Sequence, residues 1–69
     1  MEWSEEYCGV QHLGEYSIRR MWVTVERFGT KARLLEWFPG CGFSPRETLY
    51  ESVEVAKTAG EIIMKQWYN

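Results

Sequence analysis

Apolar side chains recur at roughly every second position along residues 16–28 and again along residues 31–38, with a glycine between the two runs. The first run, YSIRRMWVTVERF, is rich in β-branched and aromatic residues, which favours a strand. The second run, KARLLEWF, contains helix formers, but it is short, follows the glycine turn and ends at Pro39, which favours a returning strand. Gly29 supplies the permissive backbone of a tight turn. The pattern therefore predicts a β-hairpin over residues 16–38.

A turn at Gly29 and Thr30 determines which residues of this hairpin face each other. It places Trp22 opposite Trp37, and it places Glu26 opposite Arg33 as an opposite-charge pair that supports the register. Alternate side chains then lie on opposite faces of the sheet, and the pattern leaves open which face a helix covers. One face is mostly aliphatic: Met21, Val23, Val25, Ala32, Leu34 and Phe38. The other face mixes rings, aliphatic side chains and charges: Ile18, Arg20, Trp22, Thr24, Glu26, Phe28, Lys31, Arg33, Leu35 and Trp37.

The C-terminal half of the chain predicts a loop, a strand and a helix. Residues 39–45, PGCGFSP, contain two prolines and two glycines and are typical of a loop. Residues 46–51 predict a short strand, and Ser52 is a suitable N-cap for a helix over residues 53–67. The stripe predicted to face the sheet has helical spacing: Val55, Ala56, Ala59, Ile62, Ile63 and Trp67.

The predicted fold is a single α+β domain spanning residues 1–69. It contains a three-stranded antiparallel sheet (16–28, 31–38 and 46–51) with one C-terminal helix (53–67) packed on one face. Residues 1–15 are expected to form either a short helical turn or an extended or irregular arm over the core, because Gly9 interrupts the helical spacing of the apolar residues around it.

Composition excludes several classes of function. The net charge of −2 argues against a strongly basic nucleic-acid module, and the absence of aspartate argues against a calcium loop. Cys8, Cys41 and His12 lack the spacing of a zinc site, so we expect neither metal nor cofactor. No segment is apolar enough to cross a bilayer and no signal-peptide pattern begins the chain, so we expect a cytoplasmic protein without a membrane partner and with reduced cysteines.

The sequence also lacks a recognisable catalytic arrangement. His12 is the only histidine, and no aspartate is present to orient it. Cys41 lies between two glycines, but no Lys, Arg or His lies within a few residues to lower its pKa. We therefore expect a protein that is not an enzyme.

The mixed face of the hairpin is the candidate site, and the loop at 39–45 can extend it. Tryptophan, tyrosine and arginine dominate interface energetics when they gather in one patch. The candidate partner-binding residues are Tyr16, Arg20, Trp22, Arg33 and Trp37. An alternative is that the Trp22–Trp37 pair is a structural cross-strand clasp, and the two interpretations are compatible.

These observations favour a small non-enzymatic protein-binding module that acts as an accessory or inhibitory factor on a larger protein or protein complex. One concrete version is an inhibitor of a host nucleic-acid machine, encoded by a phage or mobile element in the manner of an anti-CRISPR protein. A homodimer formed through the same face is a variant of this hypothesis.

The order of hairpin, third strand and helix, with Ser52 followed by Val-Glu-Val-Ala-Lys, resembles two families of DNA-binding domain. These are the arm-binding domains of phage-type tyrosine integrases and the plant AP2-type domain, and the resemblance covers residues 16–67. It implies a sheet that enters the major groove, with Arg20, Trp22, Arg33 and Trp37 as candidate contacts. Sheet-mediated DNA binding is therefore the alternative function. The net charge favours a protein partner, because phosphate neutralisation dominates affinity for DNA.

Overall fold

Four strands and one helix follow one another in a computed structural model that describes residues 2–68. They are β1 (Val10–Leu13), β2 (Trp22–Phe28), β3 (Lys31–Trp37), β4 (Arg46–Tyr50) and α1 (Val53–Tyr68). The strands form one antiparallel sheet in the order β1-β2-β3-β4, and α1 packs on one face of it. The α+β class and the C-terminal helix are confirmed, but the prediction of a three-stranded sheet is wrong because the described part of the chain contributes four strands.

The additional strand comes from the N-terminal segment, which was expected to form a short helical turn or an extended or irregular arm. The backbone N–H groups of Tyr7 and Val10 each donate to the carbonyl oxygen of the other, at 2.9 and 3.0 Å. Cys8 and Gly9 lie between them with φ angles of 52° and 77°, as in a two-residue type I′ turn. Residues 3–13 thus form a short N-terminal hairpin, and β1 within it pairs with β2. Met1 lies outside the described residues.

The second strand begins later than the predicted range of 16–28, at Trp22. Residues 18–20 bend, and the N–H of Arg19 donates to the hydroxyl of Ser17 at 3.0 Å. Such local side-chain bonds compete with a strand ladder, which explains the shorter strand. Arg20 is consequently outside the sheet.

The register predicted for the hairpin is confirmed. Trp22 pairs with Trp37 and Glu26 pairs with Arg33. The helix lies on the aliphatic face, where the strands bury Leu13, Val23, Val25, Ala32 and Leu34. Met21, which directly precedes β2, is buried with them. The tryptophan pair therefore lies on the face that α1 does not cover.

The stripe that α1 buries differs from the predicted one. Ala56, Gly60 and Met64 are buried, and Ala59 and Ile63 pack against the core. The other predicted members remain about half exposed: Val55, Ile62 and Trp67. The buried stripe is centred on Gly60, where an added Cβ would lie 3.2 Å from both Trp3 and Val23. The missing side chain lets α1 approach the sheet closely, so the helix turns Gly60 inward and Val55 and Ile62 outward.

The start of α1 and the N-terminal hairpin are held by specific contacts. Ser52 caps the helix as predicted, accepting from the N–H of Val55 at 3.2 Å. Trp3 donates its indole N–H to Glu61 at 2.9 Å, which fastens the hairpin to the helix. Arg27 donates to Glu6 at 2.9 Å, and this hydrogen bond lowers the pKa of Glu6.

Candidate functional site

The face of the sheet opposite α1 is called the open face here. No other helix or strand within residues 2–68 covers it. The pairing of the strands assigns its residues: Val10, His12, Trp22, Thr24, Glu26, Phe28, Lys31, Arg33, Leu35, Trp37, Glu47 and Leu49. The predicted candidate residues Trp22, Arg33 and Trp37 all belong to it.

Four rings gather at one end of the open face and form what we term the aromatic cluster. Trp22 and Trp37 stack with their centroids 5.1 Å apart and their planes within 12°. Tyr16 and His12 meet Trp22 edge to face, at centroid distances of 5.3 and 6.4 Å. Trp37 donates its indole N–H to the buried hydroxyl of Thr24 at 3.1 Å, so the ring is fixed in place rather than free to turn. The pair therefore forms a cross-strand clasp that still presents ring surface to solvent.

A groove of about 120 Å³ lies beside the cluster, between residues 16–18 and the loop at 40–43. We call it the aromatic groove. It is lined by Tyr16, Ser17, Ile18, Trp22, Trp37, Phe38, Gly40, Cys41, Gly42 and Phe43. Three large apolar side chains among these are unusually exposed, with Tyr16 at 75%, Ile18 at 70% and Phe43 at 96%.

Backbone hydrogen bonds hold the two walls of the aromatic groove together. The N–H of Gly40 donates to the carbonyl of Ile18 at 3.0 Å. Within the loop, the N–H of Cys41 donates to Phe38 at 3.1 Å and that of Ser44 donates to Cys41 at 3.2 Å. Gly40 and Gly42 adopt φ angles of 78° and 64°, which suit glycine and let the loop turn back on itself. The groove is thus formed in the free chain.

The other half of the open face is charged but locally neutral. Arg33 donates to Glu47 at 3.1 Å and to Glu26 at 3.3 Å, and its guanidinium lies 4.6 Å from the centroid of the Phe28 ring. The hydrogen bond to Glu47, together with the charges of Glu26 and Glu47, raises the pKa of Arg33. This arginine is held by two carboxylates and a ring, so its charge is already compensated.

The structure brings three of the five predicted site residues into one place. Tyr16, Trp22 and Trp37 contact one another in the aromatic cluster. Arg33 lies on the same face but pairs opposite Glu26, four residues or about 13 Å along β2 from Trp22. Arg20 lines a separate surface groove with Gly14, Glu15, Met64 and Tyr68, next to the C-terminal part of α1.

Sequence reasoning named the loop at 39–45 as an extension of the site but did not single out Phe43, and it did not include His12. Phe43 was treated as part of a connecting loop, although a phenylalanine among glycines and prolines has no strand or helix to bury it. His12 was placed in the N-terminal arm, and only its pairing opposite Thr24 brings it to the open face. An aromatic residue in a glycine-rich loop was the available signal for Phe43.

The described residues offer little for other kinds of site. Residues 2–68 contain no cluster of three or more His, Cys, Asp or Glu side chains arranged to hold a metal ion. The Cys8 and Cys41 thiols are free, one exposed and one partly buried. Across the same residues, no helix has the length and apolar character needed to cross a membrane.

No protein-family model matches the chain, and no significant match was found among curated proteins or solved structures.

Proposed function

We propose that this chain is a non-enzymatic protein-binding module that receives an apolar side chain of a larger partner in the aromatic groove. The observation that carries the proposal is a preformed apolar groove at the uncovered end of the sheet, beside a stacked tryptophan pair. An engineered cavity of roughly 150 Å³ lined by apolar side chains binds benzene. The aromatic groove, at about 120 Å³, suits one aromatic or branched aliphatic side chain.

The exposure of the groove mouth supports binding rather than structure. Ile18 and Phe43 leave most of their apolar surface in water, so they contribute little to folding and gain from being covered. Tyrosine and tryptophan at the centre of a contact, with water excluded around them, are typical of binding hot spots. The loop is already held by backbone bonds, which reduces the entropy lost on binding. The module acts as an accessory or inhibitory factor where the surface that it covers is one that the partner needs for its own activity.

Charge on the open face favours protein over nucleic acid as the partner. Arg33 is compensated by Glu26 and Glu47. Away from this face, Arg27 pairs with Glu6 and Arg46 pairs with Glu36. Three of the five arginines are therefore engaged with carboxylates, whereas DNA binding requires cations that are free to neutralise phosphates.

The test compares surface variants that leave the core intact. Phe43→Asp and Ile18→Asp place a charge at the groove mouth, where a partner side chain would have to desolvate it. We expect each to weaken the complex at least about ten-fold, or roughly 1.4 kcal/mol. The partner is captured from a host lysate, identified by mass spectrometry, purified and titrated by calorimetry.

Val55→Asp is the matched control, because it makes the same change at a half-exposed apolar residue on α1, on the other side of the sheet. It should retain the affinity of the unaltered chain. Circular dichroism should show all three variants folded. Equal affinity for the groove variants and the unaltered chain would rule out the aromatic groove as the site.

A further inference from the structure

A second apolar surface runs along the outside of α1. Val55, Ala59 and Ile62 follow one another at spacings of four and three residues, which aligns them on one side of the helix. Val55 is 51% exposed and Ile62 is 54% exposed. We call these three residues the outer stripe. Lys57 and Glu61 both contact Trp3, and the outer stripe lies on the opposite flank of the helix from them.

The charged residues of α1 alternate in sign along the helix. They are Glu54, Lys57, Glu61 and Lys65. If a second copy of the helix lies antiparallel to the first with its centre near Ala59, Glu54 beside the outer stripe comes close to Lys65 of the other copy. Lys57 and Glu61 lie on the far flank with Trp3 and take no part in this contact. A parallel arrangement would instead place every charge beside its own copy. The pairing of Glu54 with Lys65 therefore forms in the antiparallel orientation alone.

We propose that a second copy of this chain docks on the outer stripe, with the two α1 helices antiparallel about a two-fold axis near Ala59. Val55 of each copy packs against Ile62 of the other, as an isologous contact requires. The small side chain of Ala59 at the centre allows the two helices to approach closely. This contact goes beyond the proposed function and does not depend on it, since it uses the surface of the molecule opposite the open face.

The size of the contact sets its strength. One face of a single 16-residue helix is smaller than the surface that stable protein interfaces bury. The dimer is accordingly weak, with a dissociation constant in the micromolar range or above, and it forms as concentration rises.

Sedimentation velocity over a wide concentration series tests the contact. The unaltered chain should shift from monomer to dimer, and Ile62→Lys should remain monomeric at every concentration because it places two lysines in the apolar contact. Phe43→Asp, on the aromatic groove, is the control and should dimerise like the unaltered chain. A monomer at all concentrations, or a dimer that Ile62→Lys leaves unchanged, overturns the proposal.

A charge exchange tests the antiparallel orientation. Glu54→Lys and Lys65→Glu each place like charges across the contact, and each should weaken the dimer by about five-fold at low salt. The double variant restores opposite charges and should recover the original dimerisation. Both changes oppose the helix dipole, so the double variant should be the least stable fold of the set in urea. If the double variant recovers dimerisation despite its lower folding stability, the effect of the single variants comes from the contact and not from a general loss of folding. If it does not recover, the antiparallel orientation is wrong.

Discussion

At the scale of single residues, Gly60 determines how closely the helix lies on the sheet. Glycine inside a helix costs about 1 kcal/mol relative to alanine, so its place at the middle of α1 requires a reason. A Cβ at this position would lie 3.2 Å from Trp3 and Val23 and 3.3 Å from Leu34. Val23 and Leu34 are fully buried and have little room to move. The glycine thus removes the atom that would separate the two layers.

Gly60→Val should therefore lower the free energy of unfolding by about 1–3 kcal/mol, the usual cost of overpacking a filled core. The same new residue at an exposed helical position, Gln66→Val, should change it by less than about 0.5 kcal/mol. Urea denaturation followed by tryptophan fluorescence measures both. If the two variants prove equally stable, the close contact at Gly60 does not set the distance between helix and sheet.

At the scale of elements, strands could be predicted where the turn between them had a recognisable sequence. Gly29 marked the β2–β3 turn clearly, so the pairing of Trp22 with Trp37 followed from counting residues. Cys8 and Gly9 form an equally tight turn, but cysteine is not a typical residue for a positive φ angle, so β1 was missed. The rotation of α1 was also mispredicted, because apolar spacing favours Val55 and Ile62 and ignores a glycine that fits where no side chain can.

The conformation of Cys8 makes the N-terminal turn testable. Its φ angle of 52° is strained for most L-residues, whereas asparagine tolerates it and Asn-Gly is a preferred type I′ pair. Cys8→Asn should raise the free energy of unfolding by about 0.5–1 kcal/mol. Cys8→Val, with a branched Cβ, should lower it by about 1 kcal/mol. Chemical denaturation of the two variants under reducing conditions gives the comparison, and a stability change in the same direction for both would contradict this geometry.

At the scale of the whole molecule, two layers divide the chain into a covered face and an open one. The sequence predicted the register and the alternation of faces correctly over residues 22–37, but it placed Ile18 and Arg20 on the mixed face, where the structure has no strand. It also left open which face the helix covers. Ile62 and Ile63 could not decide it, since adjacent helical residues point in different directions: Ile63 packs against the core and Ile62 does not. The loop at 39–45 was named as an extension of the site, but the aromatic groove itself could not be predicted. It joins residues 16–18 to a loop more than twenty positions later through the bond between Gly40 and Ile18.

The distribution of charge over the whole molecule yields the last prediction, on nucleic acid. The chain has a net charge of −2, and Arg27, Arg33 and Arg46 are all engaged with glutamates. Releasing them to bind phosphate would leave those carboxylates near the DNA backbone, which repels them. We therefore expect no saturable binding to duplex DNA by fluorescence anisotropy, even at about 50 mM salt, where phosphate contacts are strong. Binding that weakens steeply with added salt, with a smaller slope for Arg20→Ala or Arg33→Ala, would favour a sheet that reads DNA. In that case the ion pairs of Arg33 would have to open on binding, and the open face would act through its charged half rather than through the aromatic groove.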